Sequence, residues 1–313
     1  MKYLIKKICT LVITLFIVSI ITFSVFQILP GDPVLVMLGV DANPAQAEQL
    51  REELGMNESL ATRYAEWVQG FIKGDLGVSY KYSLPVSDLL VARIQPTVIL
   101  TALVIIITIV VGLPLGIWLA RHSKKWYTAV ISGFSQLGLS IPSFWVGILL
   151  ILVFAVKLKI LPSGNYVQWE DDAVGCLKSL ILPAIALSFG TTATIVRYLK
   201  NTLLDNVGMD YVRTAKSKGL SNKTIIYKHV LRNALIPVIT MLAMLITEIL
   251  AGSIIIETVF SLPGLGSLIT TSINSRDFPL LQSAVMYVAA IVVVINALVD
   301  ILYGVIDPRI RAK

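Results

Sequence analysis

The sequence predicts an all-α integral membrane protein with six transmembrane helices. Hydrophobic residues make up 56% of the 313 residues and charged residues only 14%, whereas a soluble domain carries about 25% charged residues. Several uncharged apolar runs reach the roughly 20 residues that a helix needs to cross the hydrocarbon core of a membrane. The alternating apolar and polar pattern of membrane barrel strands is absent from the sequence, so the spans are predicted to be helices.

The first apolar run is interpreted as a membrane helix rather than as a secretory signal. It is longer than the apolar core of a signal, which has about 7 to 15 residues, and no Ala-x-Ala-like cleavage site follows it. The fifth run contains one ionisable residue, Glu248. The six predicted spans are residues 9–29, 97–120, 128–156, 179–196, 233–256 and 279–299.

Lysine and arginine are distributed unevenly between the segments that connect these spans. Seventeen of the 26 lysine and arginine residues fall in segments on the side of the membrane where the N-terminus lies. Eight of these lie between Arg197 and Arg232. The segments on the other side hold nine basic residues against fourteen acidic ones. Because basic segments are retained in the cytoplasm, both termini are predicted to be cytoplasmic. Topology thus accounts for the net charge of +7 and argues against nucleic-acid binding.

Residues 30–96 form the one sizeable polar insertion, a small extracytoplasmic helical subdomain between the first two spans. Asn43 with Pro44 predicts the start of a short helix, and Ser59 predicts the start of a second that stops at Gly74. One face of the second helix is apolar and needs a partner. This apolar face could pack on the membrane helices or on the membrane interface, or it could contact an extracellular binding protein. The apolar residues are Tyr64, Trp67, Val68, Phe71 and Ile72.

The basic connection after the fourth span is too long to be a turn and carries helix start and stop signals. It predicts two short helices at a sharp angle, the first ending at Gly219 and the second starting after Ser221. We interpret this connection as a surface that docks a partner protein. The predicted organisation is an N-terminal helix (1–29), the insertion (30–96), a core domain (97–306) with a cytoplasmic loop (197–234), and a cytoplasmic tail (307–313).

Ten short motifs are distributed along about nine tenths of the chain. They are PGDP (30–33), GVSY (77–80), RIQPT (93–97), SIPSFW (140–145), RTA (213–215), HVLRNA (229–234), ETVF (257–260), PGLG (263–266), RDFP (276–279) and DPRIR (307–311). Each motif is weak alone, but together, in this order and at this spacing, they resemble those of the permeases of peptide and nickel importers. These permeases form the oligopeptide and dipeptide branch of the binding-protein-dependent, type I ATP-binding-cassette importers.

The resemblance implies the type I importer permease fold and a loop that sits in a groove of an ATP-hydrolysing subunit. Arg213 stands where other importers carry a glutamate, which leaves its own role open, because a cation cannot replace a carboxylate contact. We call the nine residues implied in this contact the coupling residues. They are Arg213, Thr214, Ala215, Lys218, Gly219, Leu220, His229, Arg232 and Asn233.

The resemblance also implies partners and a location in the bacterial cytoplasmic membrane. The partners are a second, homologous permease, two ATP-binding subunits that hold ATP and Mg²⁺, and an extracytoplasmic substrate-binding protein. Short peptides are the leading substrate, with nickel or a nickel chelate as the alternative. An ion-coupled secondary carrier, a different class, predicts paired intramembrane charges and inverted repeats, which the sequence does not show.

The chain offers little chemistry of its own. It has no Gly-x4-Gly-Lys-Ser/Thr loop to bind ATP, and its two His and two Cys lack metal-ligand spacing. We therefore expect no catalytic residue, no metal and no cofactor in this chain, which is not an enzyme by itself. A carboxylate inside a membrane span costs free energy, so it usually faces a partner or a water-filled cavity. Glu248 is therefore a candidate residue of the translocation pathway; the alternative is that a neighbouring hydroxyl or amide forms a hydrogen bond with its carboxylate. Four prolines, at 114, 142, 183 and 237, are predicted to kink their helices.

Overall fold

The computed structural model describes residues 2–28, 33–39, 43–53 and 55–306, and within them the protein is built of α-helices. Residues 30–32 of the PGDP motif and the whole tail 307–313 lie outside the described residues. The helices are α1 (Lys2–Ile28), α2 (Pro33–Leu38), α3 (Pro44–Glu53), α4 (Leu60–Lys73), α5 (Val86–Arg121), α6 (Trp126–Ser140), α7 (Ser143–Leu150), α8 (Ala173–Val207), α9 (Asp210–Ser217), α10 (Asn222–Thr224), α11 (Leu231–Val259), α12 (Leu265–Ser275) and α13 (Phe278–Ile306).

The prediction of an all-α membrane fold is confirmed. Within the described residues, five helices are long and apolar enough to cross a membrane, and a bent pair of helices can supply a sixth span. Two π-helical segments extend these elements: Ile151–Lys157 continues α7, and Ile225–Val230 joins α10 to α11. The five straight spans are Ile5–Ile28, Val86–Arg121, Ala173–Val207, Ile225–Val259 and Phe278–Val299.

The third predicted span is not one straight helix. Helices α6 and α7 meet at an angle of 102°, and the break lies at Ile141, whose backbone is extended (φ −87°, ψ 123°). Pro142 explains the break, because a proline disfavours the helical conformation of the residue before it. By contrast, Pro183 and Pro237 lie inside continuous helices. Pro114 likewise lies inside the continuous helix α5, so of the four predicted kinks only the one at Pro142 breaks a helix.

The basic connection is shorter than the sequence predicted. Helix α8 continues to Val207, eleven residues past the predicted end of its span, because Leu199 and Leu203 stay buried against neighbouring helices. The second predicted short helix is not separate either, since residues 222–259 continue without a break through the π-helical segment into α11. Only α9 is a separate short helix, so the prediction of a second short helix was wrong, whereas the first helix and its end near Gly219 occur as predicted.

The chain divides into two compact units, one of which combines two segments that are distant in the sequence. One unit combines residues up to Thr97 with Pro263–Ile301, and the other covers Val98–Leu262. The core of the first unit joins the start of α5 to α12 and α13. The second unit has two apolar clusters along α8 and α11. The core of the first unit consists of Val86, Leu90, Leu265, Leu268, Ile269, Leu280, Leu281 and Ala284.

The insertion contains the two predicted helix starts and a helix that packs on α1. The Ser59 hydroxyl accepts a hydrogen bond from the Thr62 amide at 3.2 Å, and Gly74 ends α4 in the left-handed conformation (φ +82°). The Tyr64 ring meets the edge of the Phe23 ring at 5.3 Å. The apolar face thus packs on a membrane helix, the first of the two interpretations. Ile72 is 79% exposed and does not belong to that face.

Two pairs of distant sequence motifs meet in the first unit. The Asp277 carboxylate is fully buried and accepts hydrogen bonds from the Ser79 hydroxyl and from the Tyr80 and Lys81 amides, so the RDFP and GVSY motifs are in contact. The Thr97 hydroxyl accepts from the Leu265 amide at 2.9 Å, which joins the RIQPT and PGLG motifs. These contacts tie the insertion to the loops around α12.

Candidate functional site

Helix α9 is held to the rest of the second unit by the side chains of Tyr211, Val212 and Ala215. Val212 is 1% exposed and Ala215 is 8% exposed, and both belong to an apolar cluster that includes Ile225 and Val230 of the π-helical segment. The Tyr211 hydroxyl also donates to the Asn206 side chain at 3.0 Å. The rest of α9 faces outward. A short helix anchored by so few residues presents most of its surface for other contacts.

Gly219 ends the turn after α9 as the sequence predicted. Its φ of +76° lies in the left-handed region, and its amide donates to the Lys216 carbonyl at 2.9 Å. A Cβ at this position would meet no atom within 4 Å. The Ser221 hydroxyl then accepts from the Thr224 amide at 3.2 Å and starts the next helix. The surface beside Gly219 is therefore open, and its backbone is set by local chemistry.

The coupling residues do not all share one surface. Five of them are exposed along the last two turns of α9 and the turn that follows, while Ala215 points into the protein's own core. His229 is half-buried in the π-helical segment. Arg232 and Asn233 are exposed on α11. The five that form one continuous exposed surface are Arg213, Thr214, Lys218, Gly219 and Leu220.

The polar side chains of α9 are largely used within the helix. Thr214 and Ser217 each donate a hydroxyl hydrogen bond to the carbonyl four residues earlier, at 3.1 and 3.2 Å. The Arg213 guanidinium lies 3.6 Å from the Asp210 carboxylate, but both side chains are more than four fifths exposed. Such an exposed pair contributes little to stability. Arg213 is thus available to a partner at small cost.

A contact that the sequence did not reveal links α5 to the π-helical segment. The Arg121 guanidinium donates to the Tyr227 hydroxyl at 3.0 Å and also lies over the Tyr227 ring, 5.6 Å from its centre. No local sequence signal predicts this contact, because the two residues are 106 positions apart. The contact joins the end of one span to the segment on which α9 packs.

Glu248 lies in the wall of a cavity of about 230 Å³ in the second unit. The cavity lies beside the break between α6 and α7, with Pro142 and Ser143 in its lining, and it also borders α8. Helices α8 and α11 approach closely here, because a Cβ on Gly252 would come within 2.9 Å of the Leu187 side chain. The glycine allows the two helices to meet below the cavity wall that carries Glu248.

Two threonine hydroxyl groups of this cavity are already used by the chain. Thr194 donates to the Gly190 carbonyl at 3.0 Å, and Thr191 shares a hydrogen bond of 2.8 Å with Thr108. Glu248 is exposed, and no hydrogen bond to its carboxylate occurs within the described residues. The cavity therefore offers a single carboxylate, a group suited to an ammonium ion. The alternative, a carboxylate satisfied by a neighbouring hydroxyl or amide, finds no support in this geometry.

A second cavity, which we call the boundary cavity, was not predicted. It has a volume of about 410 Å³ and lies in the first unit, lined by the end of α1, one side of α4, residues 55–56, the loop 75–80 and the start of α13. Tyr80 is part of its wall. Burial raises the pKa of the Tyr80 hydroxyl, the Asp277 carboxylate raises it further, and the Arg63 guanidinium opposes them. The hydroxyl thus stays protonated at neutral pH and can donate a hydrogen bond.

Comparison with known protein families gives two matches that together cover most of the chain. The family described as "Binding-protein-dependent transport system inner membrane component" matches residues 112–312, and the N-terminal family of the same transport systems matches residues 1–101. A putative peptide transport system permease protein of Brucella abortus is 37% identical over 98% of both chains. The dipeptide transport system permease protein DppB of Escherichia coli is 33% identical over 100% of this chain and 99% of its own.

A solved structure has a similar fold. A chain of the methionine ABC transporter MetNI, in an inward-facing conformation, superposes with a TM-score of 0.58 over 70% of this chain and 96% of its own, at 18% identity. At that identity the similarity concerns the fold alone. Together with the family matches and the apolar helices, it shows a multi-pass membrane protein. The chain belongs to the family of inner membrane permease components of binding-protein-dependent, ATP-binding-cassette importers.

Proposed function

We propose that this chain is the permease subunit of an importer of short peptides, driven by ATP hydrolysis in two separate subunits that bind ATP and Mg²⁺. The names of its relatives support peptides as the substrate. The observation that carries the coupling role is α9, a short helix held by Val212, Ala215 and the half-buried Tyr211, with its other residues exposed. A second homologous permease and an extracytoplasmic binding protein complete the assembly.

In this proposal α9 is the docking element for an ATP-binding subunit. The exposed surface from Arg213 to Leu220 contacts the partner, and the close approach relies on Gly219, which has no side chain. Helix α9 packs on the π-helical segment that runs without a break into α11. A displacement of α9 would therefore be carried into a membrane span rather than absorbed by a flexible loop. Arg121, through Tyr227, would carry the same displacement to α5.

The proposed orientation places the basic connection and both termini in the cytoplasm. It rests on the excess of lysine and arginine in the segments on that side. The insertion 30–96 then lies outside, where the binding protein delivers the substrate. The core domain 97–306 carries the substrate path and the cytoplasmic loop 197–234.

Glu248 is proposed as a residue of the substrate path. Glu248 lines a cavity in which the hydroxyls of Thr191 and Thr194 are already hydrogen-bonded within the chain. A free peptide carries an ammonium group at its N-terminus, and a carboxylate within a span usually faces a partner or a water-filled cavity. The proposed role is a transient contact with that ammonium group, outside the machinery of ATP hydrolysis.

The proposal is tested by substrate-stimulated ATP hydrolysis of the reconstituted transporter with its binding protein. The candidate substrates are a mixed pool of short peptides, free Ni²⁺ and histidine-chelated Ni²⁺. We expect the peptide pool to stimulate hydrolysis and both nickel forms to leave the basal rate unchanged. Stimulation by nickel alone would assign the chain to metal import, and a rate that no candidate changes would reject the peptide assignment.

A further inference from the structure

Arg197 lies inside a span and not at its end, where the sequence predicted it. Gly112 and Gly116 of α5 pack against Ile195 and Leu199 of α8, since a Cβ on these glycines would come within 3.1 and 3.2 Å of the two side chains. Arg197 lies between the two contacts. This level of α5 is seven residues, or about 10 Å, before the first charged residue at the end of that helix. A cation at such a depth usually faces a partner or a water-filled cavity.

The Arg197 guanidinium is held by a neutral group. Its Nη1 donates to the Gln136 side-chain oxygen on α6 at 3.3 Å, and within the described residues no carboxylate forms an ion pair with it. A guanidinium has five N–H donors, of which this contact uses one, and the Arg197 side chain is exposed. Lys200, one turn further along α8, likewise donates to a neutral group, the Ser132 hydroxyl, at 2.8 Å. The chain therefore leaves the positive charge of this surface without a counter-charge.

The pair of Arg197 and Gln136 lies one helical turn from the cavity of about 230 Å³ that Glu248 lines, which we call the Glu248 cavity. Thr194 of α8 and Leu139 of α6 both line that cavity, and each is three residues from a member of the pair. Residues three apart lie on the same face of a helix, and helical side chains tilt towards the N-terminus of their helix. On α8 the N-terminal direction leads to Thr194. The Arg197 side chain therefore leaves its helix in the direction of the cavity.

Glu248 and Arg197 place opposite charges along one path. Thr191 lines the same cavity as Glu248 and lies six residues, or about 9 Å, from Arg197 along α8. An extended peptide of two or three residues spans about 7 to 11 Å. Such a peptide with free termini carries an ammonium at one end and a carboxylate at the other. The separation and the signs of the two side-chain charges match that ligand.

We propose that Arg197 binds the C-terminal carboxylate of the peptide while Glu248 contacts its N-terminal ammonium. This inference rests on the proposed import of short peptides and adds a second substrate contact to it. A guanidinium fits a carboxylate with two parallel N–H···O bonds, a geometry that a lysine ammonium does not offer. Gln136 acts as a positioning residue, since its hydrogen bond orients the guanidinium.

The test uses the assembled transporter in nanodiscs without its binding protein, so that any preference belongs to the membrane subunits. A dipeptide with free termini and a photoreactive diazirine side chain is illuminated, and mass spectrometry locates the labelled residues. We expect labelling within residues 136–143 and 187–197. The unlabelled dipeptide should compete about tenfold or more better than its C-terminal amide, because the amide loses a charge-assisted hydrogen bond.

R197Q should bring competition by the dipeptide and by its amide to the same level. Its new amide can still bond to Gln136, so assembly should stay normal, and size-exclusion chromatography checks this. R197K should keep part of the preference, because it keeps the charge and loses the planar fork. K178Q is the matched control, since Lys178 is also exposed on α8 but at the other end of the same apolar run. It should keep the preference of the wild type.

Equal competition by the dipeptide and its amide in the wild type, or an unchanged preference in a well-assembled R197Q variant, would overturn the proposal. Absence of labelling in a transporter whose ATP hydrolysis the peptide pool stimulates would also overturn it and leave peptide import standing. Without that stimulation the proposed function itself fails, and this inference fails with it. Displacement of the label by phosphatidylglycerol, and not by the dipeptide, would overturn the proposal and assign Arg197 to a lipid phosphate.

Discussion

Helices α4 and α9 are both short, amphipathic and outside the spans, yet they use their surfaces differently. Both are followed by a glycine in the left-handed conformation, Gly74 with φ +82° and Gly219 with φ +76°. Helix α4 packs half-buried aromatic rings on Phe23 of α1 and buries no residue fully, whereas α9 is anchored by the buried Val212 and Ala215 with Tyr211 half-buried beside them. The difference indicates that an amphipathic helix with a large apolar face is a structural element, while one with a small anchor and an exposed polar surface is available to a partner.

The largest expected effect is on the packing of α4. Phe23 is 8% exposed and contacts the rings of Tyr64 and Trp67 at 5.3 and 6.0 Å. Phe23→Ala should lower the free energy of unfolding by about 3 kcal/mol, because it removes a buried ring and leaves a cavity. Thermal unfolding of the purified transporter measures this. Phe16→Ala on the same helix is the control, since Phe16 is 56% exposed, and equal losses for both variants would contradict the packing role of α4.

A matched pair of glycine variants tests the role of α9. At both Gly219 and Gly74 a Cβ would meet no atom within 4 Å, and both backbones are left-handed. Gly219→Asp and Gly74→Asp should therefore carry similar backbone strain, and aspartate is among the residues that tolerate this conformation best. We expect G219D to insert normally but to lose about tenfold or more of its ATP-driven peptide uptake, because a charged side chain enters the contact with the partner.

G74D should keep uptake close to that of the wild type, since α4 is not proposed to meet an ATP-binding subunit. Uptake into proteoliposomes and the amount of inserted protein are measured together for both variants. Normal uptake by G219D would refute the docking role of α9. Equal loss in both variants would attribute the effect to backbone strain instead of the contact.

The smallest expected effect concerns two serine caps with the same geometry. Ser59 and Ser221 each accept a hydrogen bond from the amide three residues later at 3.2 Å. Replacement of either by alanine should cost about 1 kcal/mol of stability. Only Ser221→Ala should also weaken the stimulation of ATP hydrolysis by substrate, because Ser221 lies in the turn between α9 and the π-helical segment. If the two variants differed in stability but had equal substrate-stimulated ATPase rates, the two regions would differ in the strength of their helix caps and not in the role of their surfaces.

Local signals in the sequence predicted several details of the candidate site. Gly219 ends its turn in the left-handed conformation, and Ser221 caps the next helix. Both predictions succeeded because they depend on atoms within a few residues of each other. The burial of Ala215 was not predictable in the same way, since small residues suit both a close partner contact and a tight internal core. The contact between Arg121 and Tyr227 joins residues 106 positions apart and carries no local signal.

The sequence by itself determined the membrane class, the helical spans and the starts and stops of the short helices. Composition, span length and capping chemistry act locally, so they can be interpreted residue by residue. The tertiary structure decided the 102° break between α6 and α7, the burial of Asp277 under the GVSY motif and the pairing of Arg197 with Gln136. These features depend on which distant segments pack together, and packing assigns burial and partners only once the whole chain has folded.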